Sequence, residues 1–506
     1  MENNIVIGLD FGNFYSQPCY IKGMDPVTRM GGICRDLQDT SAVDPNGIPS
    51  AFFYCSKKFS AQPVVGYRAA DAKPFGNCIR YLKQHLKPGE TIQLDDRTFK
   101  YEDMIVEVIQ YCVRMANEQL MAKEHVTTNK ISLSYPAEFW PTERLRLVEL
   151  AQRATTEDGR HVEVVGTAAE PAAAALHYLA GTSVTKETTV LAYDMGAGTF
   201  DISLVKAYPQ GKKSGEKTYY YDVCDTKGSS QWAGHAFDKK LFELFVKKGG
   251  EDPTGASRDR YIKEAEVTKR KLSKMDEYEP NLGDVEITVT RKEFETLATP
   301  LVQETINMVK NMLNNPSNPK PDIILLTGGS SRMPIVMEMM KKAFPRHRIE
   351  MHDPSQAIAF GVARFGVIES EGTNAAEAII QRVPKDIGVR YVNGAEDKKG
   401  HIKTFIPAGT PIPFTSEGVS SYTVLEGQYS DFSVFESKGQ NPDANEVARD
   451  YNKIMDNSYD HGRIVPVDTE SVTRLIIDKN GLLHIEVRDP KDPNKKPYKN
   501  NTKMYF

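Results

Sequence analysis

Two short apolar runs, 184 residues apart, end in the same kind of turn. Ile5-Val6-Ile7-Gly8-Leu9-Asp10-Phe11-Gly12 and Val190-Leu191-Ala192-Tyr193-Asp194-Met195-Gly196 both close on Asp-x-Gly. A third run, Ile323-Ile324-Leu325-Leu326-Thr327, closes on Gly328-Gly329-Ser330-Ser331-Arg332. Strands that are apolar along their whole length are buried on both faces, which calls for an α/β core covered by helices. The repeated strand-Asp-x-Gly pattern predicts two similar lobes facing each other, by analogy with duplicated folds. Helical spacing fills the intervals. Tyr101–Ala122 carries Met104, Ile105, Val108, Ile109, Cys112 and Met115 on one face, and Glu143–Arg153 carries Leu145, Leu147, Val148 and Leu150. Tyr261–Lys274, rich in Lys and Glu, reads as a helix with a solvated face.

After about Gly366 the composition changes. Glu369–Ala378 is small, polar and acidic, which suits a linker. Beyond Pro384 short β-rich segments replace the helical period: Thr404–Ile406, Val419–Leu425, Phe432–Phe435, Val472–Ile477 and Leu482–Val487. Asn480-Gly481 between the last two is a hairpin signal. These segments predict a small all-β sandwich. Ser437–Gly462 reads as a long polar loop and Asp489–Phe506 as a frayed tail. The expected division is residues 1–370, a linker at 371–384 and a β domain at 385–506.

Length and charge narrow the function classes. A chain of 506 residues holds several domain-sized units. A net charge of −4 leaves no broad basic field, so nucleic acid is not an expected partner. Cys19, Cys34, Cys55, Cys78, Cys112 and Cys224 form no Cys-x-x-Cys pair and read as reduced packing residues. The start, MENNIVIGLD, lacks the basic and apolar regions of a signal peptide, and no apolar run reaches the ~20 residues of a membrane span. No membrane association and a cytoplasmic location are the resulting expectations.

The turns point to phosphate chemistry. A glycine-rich turn lets backbone N–H groups approach phosphate without a Cβ in the way. No Walker A motif is present, so the ordinary P-loop is excluded. Two Asp-x-Gly turns on opposite lobes would grip a phosphate chain from both sides, each Asp holding the hydration shell of Mg²⁺. A single such turn is usually only a turn. Two, with the Gly328-Gly329-Ser330 turn on a third strand, make coincidence a poor explanation. Taken singly, Glu170 also reads as a surface carboxylate before a proline at a helix start. Arg332 reads equally as a surface residue, and Glu266 with Lys269 as an ordinary helical pair.

Asp194-Met195-Gly196-Ala197-Gly198-Thr199-Phe200-Asp201 resembles the second phosphate motif of the heat-shock-seventy chaperones, members of the actin-like ATPase superfamily. Glu170-Pro171-Ala172-Ala173-Ala174-Ala175-Leu176 is similar to their first connecting helix, Gly328–Pro334 to their adenosine motif, and Asp353-Pro354 with Ala357–Gly361 to their second connecting helix. The resemblance covers nearly all of residues 1–370 and implies an actin-like two-lobed ATPase domain that binds ATP or ADP with Mg²⁺. It implies that Asp10, Asp194 and Asp201 organise magnesium and water, and that Glu170 helps place the attacking water. Gly12 and Gly196, Ala197, Gly198 and Thr199 would hold phosphate. Gly328, Gly329, Ser330 and Arg332 would bind adenosine, with Glu266, Lys269 and Ser273 on the other side of the nucleoside.

The chain also departs from the family pattern. Asn13-Phe14 stands where the family has two threonines, and Arg80, in Ile79-Arg80-Tyr81-Leu82, where it has a phosphate-side lysine. Ser355 replaces the usual acid. These changes predict ATP binding with slow turnover. Pro136 and Arg144 match the family's proline switch and relay arginine, which imply coupling to the β domain. Glu377-Ala378-Ile379-Ile380-Gln381 is less apolar than the family's linker, and Gly166 stands where an arginine receives a J-domain, so a J-domain partner is not expected. A nucleotide-exchange factor remains among the implied partners. Ile406–Pro413, Glu426-Gly427-Gln428 and Asp478–Leu483 resemble the family's substrate-binding sandwich, which implies binding of exposed or unfolded polypeptide. The chain ends before a helical lid, so weak, fast-exchanging substrate binding is expected. The competing reading is a nucleotide-dependent regulatory or scaffolding module whose β domain docks one dedicated folded partner.

Overall fold

The computed structural model describes residues 5–21, 47–139, 141–182, 185–211, 217–250, 252–352, 354, 356–371, 377–383, 385–438, 442–478, 482–492 and 496–505. The chain divides into two units, residues 1–139 with 146–379, and residues 140–145 with 380–506.

The first unit is mixed α/β and holds two principal sheets with one topology. In the first, Val6–Phe11 pairs antiparallel with Tyr15–Ile21 and parallel with Lys130–Tyr135. The strand order is Glu163–Ala169, Lys130–Tyr135, Val6–Phe11, Tyr15–Ile21, Ile48–Pro49. In the second, Thr188–Met195 pairs antiparallel with Phe200–Gly211 and parallel with Ile323–Thr327. Its order is Arg348–Met351, Ile323–Thr327, Thr188–Met195, Phe200–Gly211, Lys217–Ser229, with Glu377–Ile380 added at the edge. The repeated strand-Asp-x-Gly pattern therefore marks the same position, the end of the central strand, in two sheets of like topology.

Alternation within the strand Thr188–Met195 explains its continuous apolar run. Val190 and Ala192 join a core with the first sheet and the helix Tyr101–Glu124. Leu191, Tyr193 and Met195 join another with the helices Gly234–Gly249, Gly255–Leu272, Arg291–Leu313 and Pro334–Ala343. Each fully buried side chain of this size contributes roughly 1.5–3 kcal/mol. The helix Glu170–Gly181 packs on Ala357–Glu371, which also lies against the strands Val6–Phe11 and Glu163–Ala169. Their contact is made by small residues: a Cβ on Gly361 would land on the carbonyl oxygen of Ala173.

The second unit carries a sheet in the order His401–Ile406, Ile387–Tyr391, Gly427–Ser437, Tyr451–Val465. Its other sheet contains Phe414–Thr415, Val419–Tyr422, Glu470–Ile477, Leu482–Arg488 and Tyr498–Tyr505. Val389, Ile406 and Val434 of one meet Leu475, Ile477, Leu483 and Val487 of the other in a single core. Two expectations fail here. Part of the supposed polar loop 437–462 belongs to the long strand Tyr451–Val465, whose inward positions Asn457 and His461 are buried but polar and hide the period-2 pattern. The supposed frayed tail contains Tyr498–Tyr505, paired with Leu482–Arg488. The Asn480-Gly481 turn, Asp353, Ser355, Cys34 and part of the expected linker lie outside the described residues. The five described cysteines form no disulfide.

Candidate functional site in the cleft of the first unit

A cleft of about 550 Å³ opens where the central strands of both sheets end. Asp10, Gly12, Asn13 and Phe14 line it from the first sheet. Asp194, Gly196, Ala197, Gly198 and Thr199 line it from the second, with Gly328, Gly329, Ser330 and Arg332 from the next strand end. Glu170, at the start of its helix, and Glu266, Lys269 and Ser273, at the end of Gly255–Leu272, complete the set. Residues separated by hundreds of positions thus share one cavity.

Hydrogen bonds hold the turns. Gly196 N–H donates to Thr199 O at 2.9 Å, and the Gly196 carbonyl accepts from Gly234 N–H at 2.9 Å and Ser330 Oγ at 3.1 Å. Gly328 sits at φ 81, and a Cβ there would lie 2.6 Å from Asp194 Oδ1. A side chain cannot be added at this position without strain and a clash. Gly329 is the opposite case, with no atom near its would-be Cβ.

The floor is a cluster of carboxylates. Oxygens of Glu170, Asp194 and Asp201 all lie within 4.8 Å of one another. Asp10 accepts from Ser134 Oγ at 2.8 Å, Asp194 from Thr327 Oγ1 at 3.1 Å, and Asp201 from Ala137 N–H at 2.7 Å. Burial, then the charge of Glu170, raises the Asp10 carboxyl to about 6, against an opposing pull from Lys83. Burial, then Glu170, also lifts Asp194 and Asp201 well above the usual range. Desolvation and mutual repulsion both disfavour ionisation. An all-oxygen, anionic donor set suits a hard divalent cation such as Mg²⁺.

Lys83 is the cation that sequence reading passed over. Its Nζ is ion-paired with Glu170 Oε1, and both side chains are buried. Arg80, expected on the phosphate side, instead lies with its guanidinium 4.1 Å from the centre of the Phe14 ring and lines an adjoining cleft. Asp201 lies beneath the cleft and anchors the backbone next to Pro136, which lines it. On the wall formed by the helix Gly255–Leu272, Lys269 pairs with Asp238 at 2.7 Å and Glu266 with Arg270 at 3.3 Å. Gln17 and Tyr15 also line the cleft and carried no motif signal.

The family model for "Hsp70 protein" matches residues 77–503. The chain belongs to the Hsp70 family. It is also 25% identical to the chaperone protein DnaK of Mycoplasmopsis synoviae over 514 aligned positions, covering 97% of this chain and 78% of that protein. The Hsp70 family match begins at Asn77, past the altered Asn13-Phe14 turn. Among the described residues of this Hsp70 relative, no helix is long and apolar enough to cross a membrane.

Proposed function

We propose that this chain is a nucleotide-dependent chaperone of the Hsp70 type. An actin-like two-lobed domain, residues 1–370, binds ATP or ADP with Mg²⁺. A linker at 371–384 joins it to a β domain, residues 385–506, that takes exposed polypeptide. The supporting observation is the convergence of three glycine turns on one cleft lined by Asp10, Glu170 and Asp194, with Asp201 beneath it and Lys83 among the acids. Asp10 and Asp194 would hold the cation through its water, and the cation supplies charge neutralisation at the phosphates. The Gly196–Thr199 turn presents its backbone to phosphate. Lys83 adds positive charge there, and Glu170 orients water. Such a site works by positioning and fixed charge.

Slow hydrolysis is part of the proposal. Asn13 and Phe14 bring an amide and a ring where the family has hydroxyls, and Arg80 caps that ring. Single-turnover hydrolysis at ordinary family rates would contradict this. Absence of a J-domain partner also fits. Phe365 Cδ1 lies 2.9 Å from where a Cβ on Gly166 would stand, so the family's arginine has no room without moving that ring.

Titration of ATP with Mg²⁺, repeated on Asp194→Asn, tests nucleotide binding. Loss of about 10–100-fold in metal-dependent affinity is expected, the range for disrupting groups that orient a metal site. Unchanged affinity would remove Asp194 from the site. The carboxyl shifts give a pH test. A carboxyl raised in the folded state, from an ordinary 3.8 to about 6 for Asp10, stabilises the metal-free fold below the lower value. That contribution is lost as pH rises through the higher value. Cation binding must displace the proton, so Mg²⁺ affinity should rise between about pH 5 and about pH 7 with proton release. Calorimetry in buffers of different ionisation enthalpy measures this. A buffer-independent heat near pH 6 would mean that the acids were already ionised.

A further inference from the structure

Gln17 sits opposite Asp10 in the antiparallel pair formed by Val6–Phe11 and Tyr15–Ile21. Side chains of directly opposed residues share a face, with Cβ atoms about 4.5–5.5 Å apart. Gln17 is only 8% exposed, lines the cleft, and its Oε1 is buried without a hydrogen-bond partner. Asn13, in the turn of the same hairpin, is equally buried, and its Oδ1 is likewise unpartnered. The neighbouring Ser16, on the opposite face, shows the ordinary solution: its hydroxyl bonds Ser50 Oγ at 2.8 Å. Buried polar atoms are satisfied as a rule, so an orphan carbonyl oxygen beside an acidic cluster calls for a partner that donates. Once the acids ionise to receive a cation they only accept, so they cannot satisfy this oxygen in that state, and Lys83 is ion-paired with Glu170 rather than with Gln17. A cation that keeps its waters brings such donors.

We propose that Gln17 accepts a hydrogen bond from a water of the cation bound beside Asp10, making it a positioning residue of the metal site on the first-lobe wall. The inference rests on the cation and nucleotide reading above and assigns it a residue outside the glycine turns. A neutral carboxamide suits this place. It adds an acceptor without adding a fifth negative charge to a cluster whose members already resist ionisation. Hydrogen-bond partners of this kind orient metal ligands, and their loss weakens metal binding.

The test uses the full-length chain with ADP and Mn²⁺ as a paramagnetic stand-in for Mg²⁺, followed by electron paramagnetic resonance. Gln17→Met keeps length but removes the acceptor, and Gln17→Glu keeps an acceptor. Gln17→Met should weaken Mn²⁺ binding about tenfold. Gln17→Glu should retain or tighten it. ADP affinity in chelator and the metal-free melting temperature should stay near wild type for Gln17→Met, which separates metal positioning from packing, whereas Gln17→Glu adds a carboxyl to the cluster and should melt lower until metal is bound. Wild-type Mn²⁺ affinity in Gln17→Met, with wild-type ADP·Mn²⁺ binding intact, would overturn the role of Gln17 alone. Equal weakening of Mn²⁺ binding in Gln17→Glu and Gln17→Met, or a metal-free melting loss in Gln17→Met, would reduce Gln17 to packing. A wild-type chain that binds neither ADP nor Mn²⁺ would overturn the nucleotide reading with it.

Discussion

Lys83→Met should destabilise the first unit by about 3–5 kcal/mol at neutral pH, the range for breaking a buried pair from one side. Lys83 and Glu170 side chains are 2% and 9% exposed, so neither charge has water to fall back on. Without the lysine, Glu170 faces Asp194 and Asp201 with no cation in the cluster. The methionine packs similarly, so the loss is electrostatic rather than a cavity. Its size should depend on pH. Near about pH 5 the aspartates, whose carboxyls burial raises (to about 6 for Asp10), carry less charge for Lys83 to offset. Near about pH 8 the full loss should appear. Adding Glu170→Gln to Lys83→Met should recover most of the stability, because it removes the stranded charge, while nucleotide binding stays impaired. Urea denaturation of the four proteins of this cycle at both pH values measures the coupling. A Lys83→Met protein as stable as wild type at the higher pH would place Lys83 in solvent and dissolve the cluster as described.

The contrast between Lys83 and Arg80 shows where sequence reading stops. Asp10, Asp194 and the Gly328 turn are legible because a glycine turn at a strand end is local: the residues that make the turn are the residues that face the cleft. By position in its motif, Arg80 is the expected cation of the cleft. Tyr81 adopts a left-handed φ of 58 and opens a 3₁₀ turn at Leu82–Gln84. That change of backbone direction turns Arg80 onto Phe14 and brings Lys83 to Glu170. A positive φ at a tyrosine leaves no mark in composition or periodicity. Gln17 was within reach of inference, since a hairpin register that pairs Asp10 with Gln17 puts both on one face. In the second unit, strands with polar inward residues such as Asn457 and His461 read as loop, because alternation is visible only when the buried side is apolar.

Gly361→Ala sets two well-separated effects against each other, and the sign of the result decides between them. Gly361 lies inside the helix Ala357–Glu371, where alanine is favoured over glycine by about 1 kcal/mol on propensity alone. The new Cβ, however, would fall on the Ala173 carbonyl oxygen and crowd its carbonyl carbon and Cα, all of them backbone atoms that no rotamer change can move aside. The helices must separate, and overpacking of this kind costs about 1–3 kcal/mol or more. The expected result is therefore a net loss of stability despite the better helix former. The damage should reach the cleft, because Glu170 opens the helix that carries Ala173. Displacing that helix moves Glu170 against Lys83 and the acids, so metal-dependent nucleotide affinity should fall together with the melting temperature. Gly329→Ala is the control. No atom lies within 4 Å of its Cβ position, so stability should change by no more than about 0.5 kcal/mol. Parallel thermal melts of the two variants compare stability, and ADP·Mg²⁺ titration of Gly361→Ala against wild type measures the effect on the cleft. A Gly361→Ala protein more stable than wild type would mean that the two helices do not cross in close contact, and the common support of the carboxylate cluster would have to be sought elsewhere.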